Sequence, residues 1–228
     1  MPAAAESTDI MQRLRVRTAS THAATEALPL MRALLSPTAD ADAYGRYLAA
    51  LHGIYRAVEP TLYGAVSPPV LRLLGVRPKL PALEQDLAAL MSSRGEQLGA
   101  SAVRPARDLP GRIRAAVQGE FAALGGLYVL EGATLGGRVI ARRLRQQWGP
   151  ESDMPFTFLE FRGANPGREW RRFGDGIRLC WARHPDDEAA PIGDRIVDGA
   201  VAVFDAMHQA FREAGAEDET GDETGDET

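Results

Sequence analysis

The sequence predicts an all-α protein, and three observations carry that reading. Apolar residues recur at helical spacing nearly everywhere. No stretch sustains the period-two alternation of a half-buried strand. Most prolines fall between the periodic segments, where they stop helices. The chain has 228 residues, 45% of them hydrophobic. That is enough to build one core without a disulfide or a structural metal. A single domain of seven or eight helices is therefore expected.

Each element has its own signal. In the first helix Ile10, Leu14, Thr18 and His22 recur every four residues on one face, Thr8 is a plausible N-cap, and Pro29 ends it. A short turn of helix over 29–35 runs into Ser36-Pro37. Residues 41–63 read as a long helix with Tyr44, Tyr47, Leu48, Leu51, Tyr55 and Val58 inward and a kink at Pro60. Residues 68–81 are proline-studded and expected to be irregular, 83–91 helical, and 95–110 a loop. The longest helical pattern, 112–148, holds no proline and is stopped by Gly149-Pro150. Residues 155–162, with Phe156, Phe158 and Phe161, form an aromatic connector, expected as a short extended segment. Two helices close the domain, over 168–182 and 192–215, the second striped with Ile196, Ala200, Val203, Phe204, Met207 and Phe211. The domain is expected over 9–214, with a flexible segment before it and a disordered acidic repeat over 215–228.

Charge sharpens that division. The formal charge is −5, from 26 cations against 31 acids. Seven of the acids lie between Glu217 and Glu227. With these set aside, 24 acids face 26 cations, so the body carries +2. Lys79 is the only lysine; every other cation is arginine. Cys180 is the only cysteine, which excludes an intramolecular disulfide and a zinc–thiolate site and points to a reducing compartment. Residues 1–12 lack the pattern of a signal peptide, and the most apolar run, 124–141, is interrupted by Glu131 and Arg138. A cytoplasmic protein with no membrane span is expected. No basic patch with interleaved aromatics supports nucleic-acid binding. No strand precedes a glycine-rich phosphate loop, and no GxSxG or ExxH pattern occurs.

Two places carry chemistry. Gly125, Gly126, Gly132, Gly136 and Gly137 crowd into thirteen residues of the longest helix. Each interior glycine costs a helix about 0.8–1 kcal/mol relative to alanine. Gly125, Gly132 and Gly136 share one face, so another helix packs very close there, a flat ligand lies against it, or the helix bends. The second place is His22, on an otherwise apolar stripe with Glu26 one turn later. A carboxylate at that spacing can hold an imidazole, fix its tautomer and raise its basicity as a ligand.

These two stretches resemble one known family. LRVRTASTHAATE, residues 14–26, is similar to the proximal helix of haem oxygenases, with its L-R-x-x-T-x-x-x-H-x-x-x-E pattern. GLYVLEGATLGG, residues 126–137, is similar to their distal helix in its bacterial form. Residues 167–172, with Trp170 and Phe173, also resemble a later helix of that branch. The resemblance spans residues 10–212 and points to the bacterial biliverdin-forming enzymes, including those paired with bacteriophytochromes.

The resemblance implies a haem oxygenase-like fold with haem between the proximal and distal helices. It implies cleavage of haem, substrate and cofactor at once, by O₂ and external reducing equivalents to biliverdin, CO and iron. The electron donor would be a ferredoxin- or flavin-type reductase. His22 would be the axial ligand, a role suited to a neutral imidazole, with Glu26 behind it. Gly132, Gly136, Gly137 and Thr134 would form the distal wall, and Arg15 and Tyr128 would meet the propionates. The sequence departs from the family at Ala133, where many members carry aspartate or serine. Alanine offers no hydrogen bond to distal water, which also fits a haem- or bilin-binding carrier or sensor with little turnover.

Overall fold

A computed structural model describes residues 9–93, 108–149, 152, 154–161 and 165–220. Among these the chain forms nine α-helices and no strand: α1 (Ile10–Glu26), α2 (Pro29–Leu34), α3 (Ala41–Ala65), α4 (Pro68–Leu74), α5 (Leu80–Ser93), α6 (Leu109–Ala116), α7 (Glu120–Trp148), α8 (Pro166–Ala182) and α9 (Asp186–Thr220). Thr8, the segments 1–8 and 221–228, and most of the expected loop over 95–110 lie outside the described residues. The N-cap of α1 is Asp9, whose carboxylate accepts from the Met11 N–H at 3.2 Å.

The local code explains most boundaries. Pro29 and Pro68 open α2 and α4 at positions where a missing N–H costs nothing. Pro60 and Pro191 sit inside α3 and α9. Gly149, at φ +77°, ends α7. Four expectations are corrected. Residues 68–74 are helical, because the proline pair starts a helix and the left-handed Gly75 stops it. The 112–148 pattern is two helices, broken where Gly119 takes φ +87°. The aromatic connector is a run of turns over 157–161, with Phe156 at φ +49°, rather than an extended segment. Finally, the last helix is longer at both ends than the expected 192–215, running from Asp186 to Thr220.

Helix α9 is the spine of the molecule. Its broadest contact is with α7, and α1 lies along it as well; α3, α6 and α8 complete its surroundings. Partners on α1 and α9 advance together, from Arg13 with Asp194 to His22 with Phe204 and Thr25 with His208, so these two helices run in the same direction. The α7–α9 crossing is made by small residues. A Cβ on Gly125 would stand 1.9 Å from the Ile196 carbonyl oxygen, and one on Gly199 would stand 2.3 Å from that of Ala122. The core between the helices is dense in aromatics: Tyr44, Tyr55, Phe156 and Phe173 are fully buried. Among the described residues no helix is long and apolar enough to cross a membrane.

Candidate functional site

The apolar stripe of α1 leaves the core as the helix proceeds. Ile10, Leu14 and Thr18 are buried, and the Thr18 hydroxyl donates to the Leu14 carbonyl at 2.9 Å. One turn later the His22 side chain is 60% exposed. Its Nδ1 lies 3.6 Å from Glu26 Oε2, an electrostatic contact longer than a hydrogen bond. Its ring meets Phe204 of α9 edge-on, with centroids 6.0 Å apart. His22 is therefore steadied by a carboxylate and an aromatic ring while most of its side chain stays exposed.

The glycines of α7 divide into two groups. Gly125 touches backbone of α9, and a Cβ on Gly126 would meet Leu62 at 2.5 Å and Val203 at 3.1 Å. Gly137 is buried, its Cβ position 2.5 Å from the Leu159 carbonyl oxygen. By contrast, the nearest atom to a Cβ on Gly132 is Trp170, at 3.8 Å, and Gly136 has nothing within 4 Å. Beside Gly136, Leu135 and Val139 are exposed, Val139 by 64%. Bare backbone and uncovered apolar side chains thus form one open face over the middle of α7.

Tyr128 links this face to α1. Its half-buried ring tilts against Trp170 at 5.5 Å. Burial raises its pKa, opposed by the nearby Thr18 hydroxyl and by the charge of Arg15. One turn beyond this contact on each helix stand His22 and Gly132. Tyr128 thus stands close to α1, and both helices lean on α9.

A polar network lies on the other side of α7. Glu59 of α3 accepts from the Lys79 N–H at 2.6 Å and the Leu80 N–H at 3.2 Å, so its carboxylate caps α5. The fully buried Lys79 ammonium is paired with Glu131, the residue before Gly132. Burial raises the pKa of Glu59 against the lowering effect of its two backbone donors. The Tyr55 hydroxyl is buried without a hydrogen-bond partner, and burial drives its pKa well above the ordinary tyrosine value.

The comparisons with known proteins agree on one family. The family model described as Heme oxygenase matches residues 8–213. The chain belongs to the haem oxygenase family. A haem oxygenase of Xanthomonas campestris is 34% identical over 148 residues, covering 63% of this chain and 77% of that protein. Two solved structures share the fold at a TM-score of 0.65. A haem oxygenase of Leptospira interrogans is 19% identical, covering 90% of this chain and all of that one. Haem oxygenase-1 of the cyanobacterium Synechocystis, determined in complex with haem, is 22% identical, covering 94% and 96%.

Within this haem oxygenase fold, the structure places Arg15, His22 and Glu26 on α1 and Tyr128, Gly132 and Gly136 on α7, the two glycines on its open face. It does not bring Gly137 there; that glycine is required by the close pass of the Leu159 backbone. Thr134 is buried with its hydroxyl donating to the Glu131 carbonyl at 2.7 Å, so it faces away from the open side. Three features escape the sequence reading. Phe204 is, by spacing, one more core residue of the α9 stripe. Leu135 and Val139 are, by type, ordinary helix apolars. The Lys79–Glu131 pair has two signals, a solitary lysine and an acid within the most apolar run, which spacing alone cannot join.

Proposed function

We propose that haem would sit between α1 and α7, held by His22, and that the chain degrades it to biliverdin, CO and iron, the general reaction of its family. The observation that carries this reading is the pairing of an exposed, carboxylate-steadied imidazole with a helix face stripped of Cβ atoms. The residues fit a haem. A flat apolar macrocycle needs a wall without side chains, which Gly132 and Gly136 supply, and apolar rims, which Leu135, Val139 and Phe204 supply. Haem also needs a neutral nitrogen ligand, and cations or hydroxyls for its propionates.

Haem, once bound, supplies the redox chemistry with O₂ and incoming electrons. The chain supplies orientation. Glu26 holds the His22 ring and increases its basicity toward iron. Arg15 and the Tyr128 hydroxyl would anchor the propionates. The Gly132–Gly136 backbone allows close approach and selects which edge of the macrocycle is exposed to attack. Ala133 offers no hydrogen bond, and the Thr134 hydroxyl donates to the Glu131 carbonyl, so backbone groups would hold water on this side. Electrons come from a ferredoxin- or flavin-type reductase in the cytoplasm, and a bacteriophytochrome is a fitting acceptor of the product.

Haem added to the purified protein should saturate near one equivalent and, with reductant and O₂, give biliverdin. A haem complex that persists under those conditions with no verdin product would replace this reading by a carrier or sensor, the role favoured by Ala133.

A further inference from the structure

Lys79 is the only lysine of the chain and is fully buried. A buried ion pair is seldom better for stability than two apolar residues of similar size, so its use asks for another reason. Its position supplies one. Lys79 stands just before α5, tied through its own N–H to Glu59 of α3. Its ammonium reaches across to Glu131 of α7 and lies 5.5 Å from the centre of the Phe161 ring. α5 packs chiefly on α3, and α3 also packs on α7 directly, so this ion pair adds a polar link from the start of α5 to the middle of α7.

Immediately after Glu131 comes the weakest helical stretch of the molecule, with Gly132, Gly136 and Gly137 within six residues. On its open side a Cβ on Gly132 would meet Trp170 at 3.8 Å and one on Gly136 nothing within 4 Å. It is gripped at its ends, Glu131 by Lys79 at one and Gly137 by the Leu159 backbone at the other. We propose that the buried Lys79–Glu131 pair is a positioning device that fixes the height and rotation of the Gly132–Gly136 backbone over the slot. Resting on the proposed function, the device governs which edge of haem is opened. A charged pair suits this task because its energy depends on direction and distance, whereas an apolar contact tolerates sliding.

The test uses Lys79→Met and the double variant Lys79→Met/Glu131→Leu. The double variant removes both charges and so remains a valid probe if the single one does not fold. The first measurement is amide hydrogen exchange in the full chain without haem. Both variants should exchange the amides of 132–137 about tenfold faster or more, while those of 122–129 and of α9 move much less. The second is the ratio of biliverdin isomers, which should shift in both variants. Uniformly faster exchange would reduce the pair to a general stabiliser. Wild-type exchange at 132–137 and a wild-type isomer ratio in the double variant would overturn the proposal. If the wild type does not bind haem, the proposed function fails, and the exchange measurement still judges the pair.

Discussion

Gly125 and Gly136 lie on the same face of the same helix, eleven residues apart, and meet opposite surroundings. At Gly125 the backbone of α9 occupies the place a side chain would take; at Gly136 that place is open. The first glycine builds the fold and the second leaves it incomplete. The comparison shows that a bare helix face has no meaning of its own. Its role is set by whether the neighbouring helix is still beside it, and between these two positions α9 has ceased to cover α7.

The largest expected effect lies at the packed end. Gly125→Ala would put a methyl group 1.9 Å from one backbone atom and 2.6 Å from another, and backbone cannot rotate away. Overpacking costs about 1–3 kcal/mol and occasionally more. A loss at the upper end, about 3 kcal/mol, should appear in urea unfolding; a change below about 0.5 kcal/mol would mean α7 and α9 do not cross there.

At the open end the sign reverses. Gly136→Ala should stabilise the protein without haem by about 0.8–1 kcal/mol, the helix-propensity gain with no clash to offset it. Gly136→Leu should leave unfolding near wild type and weaken haem binding about tenfold or more, since it fills the slot. Unfolding damage as large as that of Gly125→Ala would erase the distinction between the two ends.

A smaller effect probes the rim of the packed end, where Arg178 of α8 grips Asp9 at 2.9 Å. Hydrogen bonds from Arg178 lower the Asp9 pKa below 3.8. The pair's contribution is present above that value and is lost as pH falls through the depressed one. Because both groups are substantially exposed, solvent screening holds it below about 1 kcal/mol. The stability difference between Asp9→Asn and wild type should shrink as pH is lowered from about 6 to about 3. Glu59 works in the other direction: its raised pKa lends stability at low pH that disappears as pH rises from about 4.5 through the folded value. A difference for Asp9→Asn that stays flat would show the pair contributes nothing.

Much of this is legible in the sequence, for identifiable reasons. Helix existence follows from spacing, so the Ile10–Leu14–Thr18 stripe and the α9 stripe are readable residue by residue. His22 stands out because an ionisable group on an apolar stripe conflicts with burial, and the structure resolves the conflict by exposing it. The break at Gly119 is not legible, because one glycine among good helix formers does not announce a positive φ. The division of the α7 glycines is hidden because it depends on where α9 runs. Glu59, Lys79 and Glu131 are separated by 20 and 52 residues along the chain, so only the fold joins them.

The central claim is that α1 and α7 hold a haem ligated by His22. The most direct measurement is the absorption spectrum of the haem-reconstituted wild type beside that of His22→Ala, each followed through a reductant-driven reaction. The wild type should show a histidine-ligated spectrum that converts to a verdin product, and a His22→Ala protein that remains folded should lose that ligation. An unchanged spectrum in His22→Ala would place the ligand elsewhere and contradict the account.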